Sequence, residues 1–223
     1  MMKVQGSGTL AVRTYEVSSF TRLHLSVRGT VRFVVGEEEK VEVETDDNLL
    51  DYLQVVNSGR TLYVTGENKL RAPAFTALRV TVWLRQLKAL NIATEGDMDC
   101  PDPLRLDAPL DLKIRANGNV GLWVEAPALT VDIASNGNVT LRGAAGEVQM
   151  KVSSNGDLAA RELRAQHLRL RNSSNGNVEV WAEQSIELQH RANGYLHYGG
   201  PARLTDVQQH GTGPVKHVTG STE

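Results

Sequence analysis

The sequence holds a single cysteine, Cys100, among 223 residues. That excludes an intramolecular disulfide, and Cys100 reads as a small buried hydrophobe. No apolar run approaches the roughly 20 residues that a membrane-spanning helix needs, so no membrane span is expected. The opening "MMKVQGSGTL" lacks the apolar stretch of a signal peptide. Two expectations remain: an exported protein whose leader is not part of this sequence, or a cytoplasmic one. Neither charge sign dominates, with 24 Lys and Arg against 26 Asp and Glu. Acids and bases are interleaved without a basic stripe, so nucleic acid is not an expected partner. Also missing are the Gly-x-Ser-x-Gly elbow, the Walker loop, His-Glu-x-x-His and Cys-x-x-Cys. No linker rich in Pro, Gly or Ser divides the chain. What remains is an ordinary folding composition, 40% hydrophobic and 22% charged, long enough for a sizeable core.

What the sequence does have is one phrase written five times: "IRANGNVGL", "IASNGNVTL", "VSSNGDLAA", "NSSNGNVEV" and "HRANGYLHY". The pairs Asn117-Gly118, Asn136-Gly137, Asn155-Gly156, Asn175-Gly176 and Asn193-Gly194 are spaced by 19, 19, 20 and 18 residues. Aligned on the Asn, apolar residues fall in columns. Leu110, Leu129, Val148, Leu168 and Ile186 stand seven before it, and Val120, Val139, Leu158, Val178 and Leu196 stand three after it. They alternate with polar residues, the period-2 signature of half-buried strands. Asn-Gly also favours hairpins, and a three-residue loop would keep both apolar sets on one face. A meander, however, has no reason to hold a fixed repeat length. A coil stacked on itself does. The reading is an all-β fold, a right-handed parallel β-helix (β-solenoid) of about 19 residues per rung. Each Asn should lie over the next in an amide ladder, with Gly supplying positive φ at the corner.

The repeat extends backward to Leu90, Ile92, Met98 and Cys100 if Glu95-Gly96 takes the corner. Forward, "LTDVQQHGTGPVKHV" is a degenerate last rung. Stacking places Lys113, Asp132 and Lys151 in one outward column. Trp123, Arg142, Arg161 and Trp181 form another, with Arg142 beside Trp123 and Arg161 beside Trp181 as cation–π partners. Trp123 and Trp181, about 14 Å apart by strand spacing, are the candidate glycan-binding residues. No pair of stacked carboxylates emerges to serve as a catalytic dyad. His190, His197, His210 and His217 cluster late in the chain, but His190 faces inward and His197 outward, so neither metal nor cofactor is expected.

Residues 1–85 read as an irregular β-rich part continuous with the solenoid, 86–216 as the regular rungs and 217–223 as a tail. Within the first part, "FTRLHLSVRGTVRFVV" reads as a rung and "VRFVVGEEEKVEVET" as two strands around a solvated acidic tip, Glu37 to Glu39. "TDDNLLDYL" reads as a helical turn capped by Asp46 or Asp47.

The stretches "GSGTLAVRTYEVSSFTRLHLS", "VEVETDDNLLDYLQV", "GRTLYVTG" and "VTVWLRQLKALNIATEGDM", followed by the repeated strand, Gly corner and strand, resemble the GIN domain family. This is the head domain of an auto-transporter adhesin family, also known as a domain of unknown function. The resemblance covers about residues 5 to 200. Here the corner is mostly Asn-Gly-Asn where relatives write Gly-Ser-Gly, and Arg85 and Gln86 stand where they often carry Pro. The resemblance implies a parallel β-helix, bacterial and exported behind a leader or lipid anchor, with no established catalytic residues. The expected function is non-enzymatic: a cell-envelope or secreted module for adhesin-like binding or scaffolding, with a glycan or envelope component as partner and self-association through the solenoid ends. The alternative is a carbohydrate-active enzyme, a polysaccharide lyase or hydrolase, on the same fold.

Overall fold

The computed structural model describes residues 4–66 and 73–218. The N-terminal part contains β1 (Val4–Gln5), β2 (Leu10–Glu16), β3 (Arg22–Ser26), β4 (Gly29–Val35) and β5 (Lys40–Asp46). A 3₁₀ helix (Asp47–Tyr52) follows, then β6 (Gln54–Ser58), β7 (Thr61–Thr65), β8 (Pro73–Ala74) and β9 (Leu78–Leu84). The regular part contains β10 (Ala89–Thr94), β11 (Met98–Arg105), β12 (Leu110–Ala116), β13 (Val120–Ile133), β14 (Val139–Val152) and β15 (Leu158–Asn172). It ends with β16 (Val178–His190), β17 (Leu196–Gly199), β18 (Arg203–Gln209) and β19 (Val215–Val218).

From β10 onward every strand pairs in parallel with its equivalent one repeat away, and the chain forms a β-solenoid of about seven turns. Two faces result. One stacks β7, β3, β10, β12, the C-terminal halves of β13 to β16, and β18. The other stacks β9, β4, β11, the N-terminal halves of β13 to β16, then β17 and β19. The registers reproduce the sequence columns: Leu110 lies on Leu129, and Val120 on Val139. These side chains are buried, and one hydrophobic cluster runs from Phe20 to Leu196. The corner at Glu95-Gly96 is also as expected, because Leu90 registers with Leu112 and Met98 with Val120.

The N-terminal part is woven rather than coiled. β9 lies between β4, to which it is parallel, and β5, to which it is antiparallel, and β2 runs antiparallel on the far side of β5. β6 and β7 form an antiparallel hairpin. The 3₁₀ helix connects β5 to β6, and its Leu49 and Leu50 are buried, Leu50 as part of the core cluster.

Four expectations need correction. The corner glycines 118, 137, 156, 176 and 194 are not in the left-handed region; positive φ occurs at Gly8, Gly29, Gly59, Gly143 and Gly200. The corner needs Gly for closeness instead, since a Cβ on Gly137 would collide with the backbone carbonyl of Gly118 and one on Gly156 with that of Gly137. Asp46 occupies the N-cap position without capping. Its buried carboxylate accepts bonds from Thr76 N (2.8 Å), Thr76 Oγ1 (2.6 Å) and Gly8 N (2.9 Å), tying the N-terminal "GSG" to the sheet. Glu39 is not a solvated tip: it accepts from Ser19 Oγ (2.6 Å) and Phe20 N (3.3 Å), with its side chain only 9% exposed. Finally, β19 runs two residues into the stretch read as a tail; residues 219–223 lie outside the described ones.

One inward column changes character along the coil: Ile114, Ile133 and Val152 give way to Asn172, His190 and Gln209. Asn172 Nδ2 donates to His190 Nδ1 (3.2 Å), and Asn172 Oδ1 accepts from Ser174 N (2.9 Å) and Ser174 Oγ (2.6 Å). Burial lowers the affinity of His190 for a proton, which the Gly213 and Gly194 carbonyls only partly offset, and burial does the same at His24. The folded state therefore resists a proton that the unfolded chain accepts below about pH 6.5. Stability should be full above that pH and decline as pH falls through it. Asp46, held below the usual carboxylate range by Thr76, adds a second loss below about pH 4. Urea midpoints measured from pH 8 to 3 check both windows; a His190→Gln chain should show a flatter profile between pH 6.5 and 5.

Candidate binding site

The repeated Asn-Gly-x corner builds two ladders. In the first, Asn136 Nδ2 donates to Asn117 Oδ1 (2.7 Å), Asn155 Nδ2 to Asn136 Oδ1 (2.9 Å) and Asn175 Nδ2 to Asn155 Oδ1 (3.0 Å). Glu95 accepts from Asn117 at one end (2.6 Å), and beyond it Asn193 accepts from Thr212 Oγ1 (2.9 Å). The second ladder was not read from the sequence. Two residues after each Asn, a side-chain oxygen accepts the backbone N–H of the next rung. Asp97 takes Asn119 N (2.7 Å), Asn119 takes Asn138 N (3.0 Å), Asn138 takes Asp157 N (2.9 Å), and Asp157 takes Asn177 N (2.7 Å). These N–H groups sit at a corner where a strand carbonyl does not reach them, and an Asx oxygen replaces it. The signal was present: the third letter of Asn-Gly-x is Asn or Asp in four repeats.

The second ladder forms one wall of an open trough of ≈ 560 Å³ on the outer side of β11, β13 and β14. Its floor is low because Gly121 stands in the outward column between Asp99 and Thr140; a Cβ at Gly121 would meet Asp99 Oδ1 at 2.6 Å. Asn119 and Asn138 spend their oxygens on the neighbouring rung and present Nδ2 as donors. Asp97 and Asp99 supply acceptors and Thr140 a hydroxyl. The far wall is Trp123 with Arg142, which register with one another. Trp123 is 37% exposed, and its Nε1 donates to Glu125 Oε1 (3.2 Å), itself held by Arg105 (2.9 Å). The ring is thus held in orientation at the edge of the trough and is partly exposed. A smaller hollow of ≈ 240 Å³, sharing Thr140, continues over Ala159 toward Glu179 and Trp181.

A family model described as "Putative auto-transporter adhesin, head GIN domain" matches residues 19–202. The chain belongs to the GIN domain family. Solved structures of the same fold include the following three. A putative adhesin from Bacteroides fragilis NCTC 9343 is 22% identical, with TM-score 0.83, over 96% of this chain and 100% of that one. From Parabacteroides distasonis ATCC 8503 come a putative lipid binding protein (19% identity, TM-score 0.73) and a putative adhesin (23%, 0.68), each covering 97% of this chain and 100% of its own. No functionally curated protein matches the sequence significantly.

Within this GIN domain the two tryptophans do not share a column. Trp123 registers with Arg142 and Arg142 with Glu162, whereas Trp181 registers with Arg164. Bulges in β15 around Ala160–Arg164 shift the alignment by more than one residue. A cation–π contact at Trp181 comes from Arg164, 4.0 Å from the ring, and Arg164 rather than Arg161 is its register partner. Arg142 instead pairs with Glu162 (3.1 Å). Trp181 Nε1 donates to Glu183 (2.6 Å), and its ring lies so near Gly199 that a Cβ there would strike it. Trp181 is a packed wall, and Trp123 is the open platform. Lys113, Asp132 and Lys151 are in register, but the partner of Asp132 is Arg115 (2.8 Å).

Cys100 is buried, and desolvation pushes its thiol up. His190 is inside the coil while His197 stacks on Tyr195, ring centroids 4.2 Å apart. Among the described residues no group of three or more His, Cys, Asp or Glu is placed to hold a metal ion, and no helix is long and apolar enough to cross a membrane. Glu147, His167 and Ser185 stack on three rungs of the other face, with Ser185 Oγ 2.8 Å from His167 Nδ1. Glu147 lies 3.9 Å from His167 Nε2, outside hydrogen-bond range, and its side chain is 67% exposed.

Proposed function

We propose that this GIN domain is a non-enzymatic, adhesin-like module, exported to the cell envelope or beyond it, that lays a glycan chain in the trough beside Trp123. The observation that carries this reading is the pairing of an oriented, open indole with a row of donors and acceptors one rung apart. Carbohydrate recognition uses that combination: an aromatic face against the C–H side of a sugar ring and fixed polar groups for its hydroxyls. The trough crosses several rungs, which suits an extended polymer. Export is supported by membership of an adhesin family. The lipid-binding name of one neighbour would call for an apolar cavity, whereas this trough is walled by Asp, Asn and Arg, and the coil interior is filled by its own side chains.

A screen of glycans and envelope polymers, followed by titration, tests the reading. Trp123→Ala should weaken binding at least roughly tenfold, since a central aromatic anchor carries about 2 kcal/mol, while Trp181→Ala should matter less. Equal affinity of the Trp123 variant and the parent would reject the site. Asp97 and Asp99 are the carboxylates that line the trough. Release of new sugar ends from a bound polymer, abolished by Asp99→Asn, would replace binding with catalysis.

A further inference from the structure

The two ends of the solenoid are built differently. The N-terminal end carries the 3₁₀ helix, with Leu50 in the core cluster and Asp47 and Asp51 exposed, and its edge strands β2 and β6 expose Leu10, Val12 and Val56. The C-terminal end is open. β18 pairs with β16 and β19 with β17, and among the described residues neither has a partner on its other edge. Every residue of β18 is exposed, including Leu204 and Val207. Yet Leu204 registers with Ile186 and Val207 with Leu188, which are 0% exposed. They therefore continue two core columns, and the interior of the coil reaches solvent here at 40% and 39% exposure.

We infer that this end is a self-complementary interface and that a second copy of the chain covers it, end to end, about a two-fold axis. Such an axis runs β18 antiparallel to the partner's β18. Side-chain direction fixes the register, because the inward Leu204 must face the partner's inward Val207, and the reverse. With that pairing Arg203 lies diagonally across from the partner's Asp206 on the outer face, within reach of a long side chain. Symmetry makes two such ion pairs. Both core columns close, and the free strand edge finds hydrogen-bond partners. A head-to-tail arrangement lacks this match: the other end also exposes apolar residues, Leu10 and Val12 on β2 and Val56 on β6, but they do not repeat the Leu204/Val207 and Arg203/Asp206 pattern, which is complementary to itself.

The test is molar mass by light scattering and sedimentation over a concentration series, on the full chain. A mass of twice 24.4 kDa is expected. Val207→Lys should return it to the monomer value, with the far-ultraviolet circular dichroism and melting of a folded chain. Arg203→Asp should also yield monomer, and Arg203→Asp combined with Asp206→Arg should restore the dimer, a rescue that a merely destabilised strand would not show. A monomer at all concentrations, a mass growing through trimers to filaments, or an Arg203/Asp206 exchange that fails to rescue would each overturn the inference.

Discussion

Gly137→Ala should destabilise the protein by about 3 kcal/mol or more, beyond the usual range for an added methyl group. The obstacle is the backbone carbonyl of Gly118 one rung away, which cannot rotate aside as a side chain does. Relief requires the two rungs to separate, and separation breaks the strand pairing on either side of the corner. Gly137→Asn discriminates the cause. Asn tolerates the left-handed region far better than other residues, so it would be accepted if φ were the requirement. Because Gly137 is not in that region, Asn should fail as Ala does. Denaturant unfolding of both variants measures the loss.

Asn172→Ala should cost about 3 to 5 kcal/mol, for a different reason. The side chain is 2% exposed and makes three hydrogen bonds. Its removal strands the Ser174 N–H and the His190 Nδ1 away from water, at about 1–3 kcal/mol each, and leaves a cavity. The double variant Asn172→Val, His190→Leu should recover much of the loss, since it extends the Ile114, Ile133, Val152 column by two apolar rungs and removes one stranded partner. Urea unfolding of the single and double variants gives the coupling; strict additivity of the two substitutions would mean that the pair does not act as a unit.

These two sites mark where the sequence speaks plainly and where it does not. The rungs are legible because one physical demand, that each turn close above the last, repeats at Asn117, Asn136, Asn155, Asn175 and Asn193. Alternation then assigns the buried face. Position is legible at Gly137, but the reason is not: positive φ and close backbone approach both ask for glycine, and only coordinates separate them. The weave of β2, β5, β9 and β4 is not legible, because strand order among non-adjacent segments leaves no local pattern in the chain. Bulges are equally silent. The extra residues in β15 displace Trp181 from the column of Trp123 and bring Arg164 into register with it. The trough was half legible. Trp123 stands out as an outward aromatic, but the floor depends on a missing side chain at Gly121, and the donor wall on a second ladder whose letters form a column without showing that its oxygens take up backbone N–H groups.

The central claim is that one sequence period equals one physical turn, so that neighbouring corners are interchangeable. Excising residues 136–154, which joins Ser135 to Asn155, removes one such turn and brings Asn155 over Asn117. Removing only 136–145 leaves the following corner half a turn out of phase. Circular dichroism and calorimetry of the two shortened chains decide the matter. The full-period deletion should keep a β spectrum and a single cooperative melt, and the half-period deletion should lose both; equal collapse of the two chains, or equal survival, would contradict the stacked-turn account.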